Sequence, residues 1–402
     1  MSKCTPQNNQ IKTTVLTGEN IIILSSDDWS SGLKTSKYHV ARTLARHNQV
    51  FFVNSVGLRS PEASAGDVKR MWDKLRSFLQ GASRVPEGLC VYSPILFPFM
   101  RDAAPVRQVN GVLLRSALRY YQHSLSLSTP YVLSFAPAFN AVLGHLDEKA
   151  VCYYCIDDLT GYEGVERSAF LEKERELVEK SDCVVCSSGE LVDRFRDRKK
   201  THYVPHGVCW QMFRRAVNEE LPLPEDLRDI PEPRLGFYGF LSDEWVDYEL
   251  LHEIARRKPE WQIVLIGKPR SGMDMSELVS PANIHYLGLK PFECLPAYTR
   301  HFSVGLVPFC RNELTASCNP LKLLEYLSGG LPVVSTDISE VHRFEQLVDI
   351  ANSAEHYISL CAEAISEDDP TKRRRRSDAV KKHSWEDRVD QLSDILLQYQ
   401  KS

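Results

Sequence analysis

Lys322 and Glu325 stand three residues apart in the stretch NPLKLLEYLSGGLPVVST, residues 319–336, which reads as a helix followed by a strand. The start of a helix offers unpaired amides and the positive end of the dipole, so a diphosphate can dock there without a glycine-rich loop, and Lys322 would add a full charge. Glu325, one to two turns in, can accept two hydrogen bonds from adjacent hydroxyls such as those of a ribose. One Lys and one Glu are also what any amphipathic helix carries on its surface. Asn319 as N-cap and Pro320 as first residue set the expected start, with Leu321 beside them, and Gly329 and Gly330 set a left-handed stop.

A second constellation is Asp157 and Asp158, directly after the strand-like run VCYYCI. Paired carboxylates at a strand's carboxyl end can accept protons or hold sugar hydroxyls, and these are the candidate catalytic residues. Asp158 can equally cap the segment that follows. The loop 27–37 holds Gly32 among small hydroxylated residues, so its backbone can approach a sugar or phosphate, or it can be a plain connection. Cys152/Cys155 and Cys183/Cys186 have metal-knuckle spacing, but both pairs lie in strand-like runs, where residues three apart face opposite ways. They are read as buried strand cysteines, and no metal site is expected.

These residues need a scaffold that brings loop ends together. Apolar strands are predicted at 21–26, 50–55, 89–93, 131–135, 151–156 and 183–188, with helices between them, the rhythm of a parallel sheet covered on both faces. The proline-rich acidic stretch 218–233 interrupts it. Strands then resume at 234–240, 262–267, 283–288, 303–309 and 332–336. The expected fold is α/β with two doubly wound domains facing across a cleft. Residues 1–210 form the first, 211–233 the connection, 234–383 the second, and 384–402 a terminal helix that crosses back.

Bulk properties narrow the function. The chain of 402 residues, 43% hydrophobic and 25% charged, suits two soluble domains. A net charge of -4 offers no field for nucleic acid. Residues 1–20 are polar and no run nears the ~18 to 20 apolar residues of a membrane span. Eleven scattered cysteines fit a reducing cytoplasm. The block KRRRR at 372–376 reads as a solvated helix face, with a phosphate or lipid contact as the alternative. Two basic helices, 67–80 and 106–122, either cover a sheet or lie on an anionic membrane, which would make the protein peripheral at the inner face.

Read in order, SSGLKTSKYHVARTLAR, YYCIDDLTGY, YVPHGV, GFYGFLSDEW, WQIVLIG, NIHYLGLKPFECLPAY and NPLKLLEYLSGGLPVVST resemble the GT-B nucleotide-sugar transferases of glycosyltransferase family 4, especially bacterial polysaccharide and teichuronic-acid-type members. The resemblance implies a GT-B fold and metal-independent, retaining transfer from a UDP- or GDP-sugar to a saccharide or polyprenyl-linked acceptor. The nucleotide sugar is a substrate, and no cofactor is implied. It also places donor contacts at Gly32, His206, Gly239, Ser317, Asn319, Pro320, Leu321, Lys322 and Glu325. His206 can instead be a packed hinge residue.

Two departures stand out. Relatives carry a first glutamate where this chain has Ser317, with Glu313 the nearest substitute, and an Arg/Lys pair where residues 236–251 are acidic. Lys268 or Arg270 would then help Lys322 neutralise the donor. Because of these departures, a GT-B sugar-nucleotide epimerase or phosphorylase, or a non-catalytic nucleotide-sugar-binding protein, stays open as an alternative.

Overall fold

The computed structural model describes residues 15–56, 75–97, 103–161 and 165–401. Most of the basic stretch 67–80 lies outside them. The first sheet contains β1 (Asn20–Leu24), β2 (Gln49–Val53), β3 (Ser83–Arg84), β4 (Cys90–Tyr92), β5 (Tyr131–Ser134), β6 (Ala150–Cys155), β7 (Cys183–Cys186) and β8 (Thr201–Tyr203). Their order is β3-β4-β2-β1-β5-β6-β7-β8, parallel except for the β3–β4 pair. The second contains β9 (Arg234–Leu241), β10 (Gln262–Pro269), β11 (Ile284–Tyr286), β12 (Val304–Val307), β13 (Val333–Thr336) and β14 (Asp349–Ala351), in the order β11-β10-β9-β12-β13-β14 and all parallel.

Strand β1 shows why the runs are continuously apolar. Ile21 and Ile23 enter the core on one side of the sheet, Ile22 and Leu24 the core on the other. Both faces are covered, so no position is left for a polar residue. The cysteines obey the same alternation. Cys152 pairs in register with Cys183 and Cys155 with Cys186, the first pair on one face and the second on the opposite one. Burial pushes the Cys152 and Cys155 thiols well up. Among the described residues no three His, Cys, Asp or Glu side chains converge to hold a metal ion.

The chain crosses between domains near Val208, which forms a parallel bridge with Ser384. The stretch 211–233 is a packed connection: Phe213, Leu227 and Ile230 are buried in the second core. The terminal helix crosses back, as Trp385, Val389, Leu392 and Leu396 join the first core and Arg46 pairs with Glu386 at 2.5 Å. Gly207 lies at this crossing. A Cβ there would sit 2.8 Å from Trp385 Cα, so only glycine lets the two strands of the hinge approach.

The KRRRR block is only in part the solvated face expected from its charge. Arg373 and Arg376 turn inward to Asp368, and Arg376 Nε donates to Gly330 O at 2.9 Å. Lys372, Arg374 and Arg375 remain exposed. Strands β3, β8 and β14 were not expected. Two or three residues long, they are too short to show a period and exist by pairing with the sheet edge.

Candidate active site

A cleft of about 350 Å³ opens between the two domains, at the carboxyl ends of both sheets. The first domain contributes the loop after β1, with Gly32, Lys34 and Lys37, and Asp157 beyond β6. The second contributes Gly239 at the end of β9, Gly267 on β10, Leu289 and Lys290, and residues 319–322. Helix α1 (Ser36–Leu44) follows the loop, α2 (Leu321–Ser328) begins on the cleft wall, and α3 (Trp385–Gln398) is the terminal helix.

The start of α2 faces the cleft, one residue later than the sequence suggests. Pro320 is the N-cap, with no side-chain cap, and Leu321 is the first helical residue. Asn319 does not cap: its amide is oriented by Nδ2, which donates across the domain boundary to Ser187 O at 3.0 Å and within its own domain to Glu340 Oε2 at 3.2 Å. At the far end Gly330 adopts φ 75°, the left-handed stop.

Lys322 lies on the cleft wall, its ammonium 5.4 Å from the Tyr238 ring centre and 3.1 Å from Glu325 Oε2. Glu325 itself is buried beneath the wall, only 1% exposed. Burial raises its pKa, and the Lys322 charge offsets that only in part. Its Oε2 lies in the ion pair but makes no hydrogen bond of good geometry.

Gly239 and Gly267 pair in register where β9 and β10 reach the cleft. Gly267 has φ 151°, and a Cβ there would meet Gly239 O at 1.8 Å, so the floor admits no side chain at that point. A Cβ on Gly32 would come 2.4 Å from the Leu289 side chain of the other domain, which measures how closely the first-domain loop approaches.

That loop is held by Asp27, whose Oδ2 accepts from Thr35 Oγ1 at 2.8 Å and Lys37 Nζ at 2.9 Å. Burial would raise Asp27, but the Lys37 charge and the two hydrogen bonds outweigh it and hold the carboxyl below its ordinary range. Lys37 also faces Asp157, whose pKa is raised to about 6 by burial, with Asp27 and Asp158 adding to the rise and Lys37 opposing it.

The Asp157–Asp158 pair divides. Asp157 lines the cleft, whereas Asp158 turns back to Arg194 at 3.0 Å and caps Thr160, whose N and Oγ1 donate at 3.0 and 2.7 Å. His206 also lines the cleft. Burial, aided by Lys37 and Arg388, lowers it to about 3, so it is a neutral imidazole with Nδ1 unbonded.

Ser317 is buried, its hydroxyl donating to Leu314 O at 3.2 Å, and its neighbour Cys318 reaches the cleft instead. Glu313 is exposed and pairs with Arg167 of the first domain at 3.0 Å. Lys268 and Arg270 are not on the cleft wall, Arg270 pairing with Asp243. The cations that are there, besides Lys322, are Lys34, Lys37 and Lys290. Sequence reading missed them; the strand-to-helix position of Lys34 and Lys37 was the signal available.

Glu340 was missed too. It is 3% exposed and accepts from Gly189 N at 2.7 Å and Tyr203 Oη at 2.7 Å of the first domain, and from Asn319 Nδ2 and Arg343 Nε of the second. Glu340→Ala leaves the buried Asn319 amide and the half-buried Gly189 and Tyr203 donors without their acceptor and should cost about 1–3 kcal/mol of stability, read as a lowered denaturant midpoint. An unchanged midpoint would mean that this carboxylate does not join the domains.

Residues 232–363 match the family described as Glycosyl transferases group 1. A protein of Bacillus subtilis (strain 168) described as a teichuronic acid biosynthesis glycosyltransferase, TuaH, is 26% identical over 231 residues, 54% of this chain. The match spans 57% of that relative's length. Among solved structures, sucrose-phosphate synthase from Thermosynechococcus elongatus aligns over 94% of this chain and 98% of its own, with TM-score 0.66 and 14% identity. Anabaena HepE, in complex with UDP and glucose, aligns over 94% and 99%, with TM-score 0.63 and 12% identity.

Two Rossmann-like domains facing across a cleft thus define a GT-B protein. The match to the Glycosyl transferases group 1 family falls on the second of these domains, residues 232–363.

Proposed function

We propose that the protein moves a sugar from a UDP- or GDP-sugar to a saccharide or lipid-linked saccharide acceptor in glycoconjugate synthesis, with retained configuration and without a metal. One observation carries this: the first turn of α2, with Lys322, opens into an interdomain cleft that holds three further lysines. Amides at a helix start and fixed ammonium groups stabilise the charge that grows on a departing diphosphate. The leaving phosphate takes the proton of the attacking hydroxyl. Lys322 is the direct diphosphate contact. As it turns to the phosphates, Glu325 Oε2 is released to the ribose hydroxyls. Ionised Asp157 accepts a hydrogen bond from a hydroxyl of a reacting sugar.

The HepE structure holds UDP and glucose, so UDP-glucose is the first donor to test. Incubation with a panel of UDP- and GDP-sugars should give nucleoside diphosphate release only when a saccharide acceptor is added. Conversion of the donor with no acceptor would replace this reading by an epimerase, and tight donor binding without turnover by a binding protein.

The acceptor side bears on the membrane. Among the described residues no helix is long and apolar enough to cross one. Helix Ala104–Ser124 contains no acidic residue and exposes Val109, Val112, Leu113 and Tyr120 along one stripe, with Arg115 and Arg119 beside it. We propose that this face lies on an anionic membrane and brings a polyprenyl-linked acceptor to the cleft. Phosphatidylglycerol vesicles should retain the protein in flotation, phosphatidylcholine vesicles should not, and Val112→Asp should abolish the retention. Equal behaviour with both lipids would refute it.

A further inference from the structure

Behind the donor cleft lies a second interdomain cavity, of about 760 Å³. His206 and Asn319 separate the two spaces and line both. Its walls come from both domains. Tyr203 and His206 belong to the first, Arg388 stands on α3 packed against it, and Arg343, Arg375 and His383 come from the second side.

The charge on these walls is unbalanced. Arg388 is 6% exposed, yet among the described residues no carboxylate lies within ion-pair distance of it, and only Asp387 acts on its charge from further away. Its Nη2 donates to His383 Nδ1 at 2.5 Å, and its remaining bonds, to His206 O and Gln391 Oε1, are both 3.3 Å. His383 therefore accepts through Nδ1 and carries its proton on the other ring nitrogen. Among the described residues Arg375 likewise has no carboxylate partner, and Arg343 has one, Glu340, which is already shared with three other donors. Glu345 is the one carboxylate on the lining, against three guanidinium groups. His206 adds a buried ring nitrogen with nothing bonded to it.

A buried guanidinium without a carboxylate in direct contact is costly, and its planar fork fits a phosphate or carboxylate edge. The space exceeds what a bare oxyanion fills, and the rings of Tyr203 and Phe344 wall the remainder. We infer that this cavity binds a small phosphorylated molecule, its oxyanion held by Arg388 and Arg375 and its organic body filling the rest. Such a ligand touches both domains at once. Bound there, it fixes their relative placement and therefore the width of the donor cleft on the other side of His206 and Asn319.

Calorimetric titration of the full chain with inorganic phosphate and with glucose 6-phosphate tests this. Both should bind, the hexose phosphate more tightly, and Arg375→Gln and Arg388→Gln should each weaken binding about tenfold or more, the share of one charge-assisted contact. Arg375 is exposed, so its variant keeps the test sound if loss of the buried Arg388 unfolds the chain. Lys322→Ala should leave phosphate binding unchanged. Titrating UDP into the same variants separates failure here from failure of the donor reading. No binding of either probe, unaltered binding in Arg375→Gln, or loss in Lys322→Ala would overturn the inference.

Discussion

Lys322→Ala should lower kcat/KM for the nucleotide-sugar donor by roughly 10²–10³-fold, the usual cost of removing one fixed donor from a site of developing negative charge. Three features place this residue above the other cleft lysines. It lies in the first turn of α2, where the helix dipole acts in the same direction; it is on the cleft wall; and its alternative partner, Glu325, is buried. Lys34 sits over the Tyr38 ring, Lys37 is committed to Asp27, and Lys290 to Asp226 at 2.6 Å, so each has a position to keep. The variant also leaves Glu325 without the charge that offsets its burial, which favours its protonated form. Lys322→Arg should restore part of the rate, since charge returns while the geometry changes. Glu325→Gln separates the two roles: a lost hydrogen-bond acceptor for ribose weakens UDP binding even though Lys322 keeps its charge. Melting-temperature shifts with UDP report both variants, and full wild-type shifts in the two would remove the donor from this place.

How much of this could be read beforehand depends on whether the determinant is local. The central strands announce themselves because a sheet covered on both sides forbids polar positions, as β1 and β7 show. Gly330 marks the end of α2 because the left-handed stop is a property of the backbone alone. The beginning of α2 is one residue off for the opposite reason: Asn319 has good capping chemistry, but a tertiary partner, Ser187 O, takes its amide. Asp157 and Asp158 look equivalent in sequence, and Arg194, from a different element, decides which of them faces the cleft. Glu340 carries no motif at all. Its importance comes from four donors that meet it from two domains, and no pattern in the sequence lists who arrives at a point in space.

The last consequence concerns pH and rests on Asp157. Its acid form persists to about pH 6 because burial disfavours the charge and Asp27 and Asp158 repel it, against the pull of Lys37. The proposed role, accepting a hydrogen bond from a sugar hydroxyl, requires the ionised form. kcat/KM should therefore be low below the titration, rise with pH through about 6, and level above it. Asp157→Asn keeps the shape, removes the charge, and should cost roughly 10–100-fold at neutral pH, the share of one charge-assisted hydrogen bond. It should also erase the acid limb of the profile. Asp158→Asn is the comparison that gives the result meaning. Asp158 is held below its ordinary range because Thr160 and Arg194 outweigh its burial, so it stays ionised across the window and its loss acts on stability, leaving the limb in place. A profile still rising through the same region in Asp157→Asn would assign that proton to another group and leave Asp157 as a wall of the cleft.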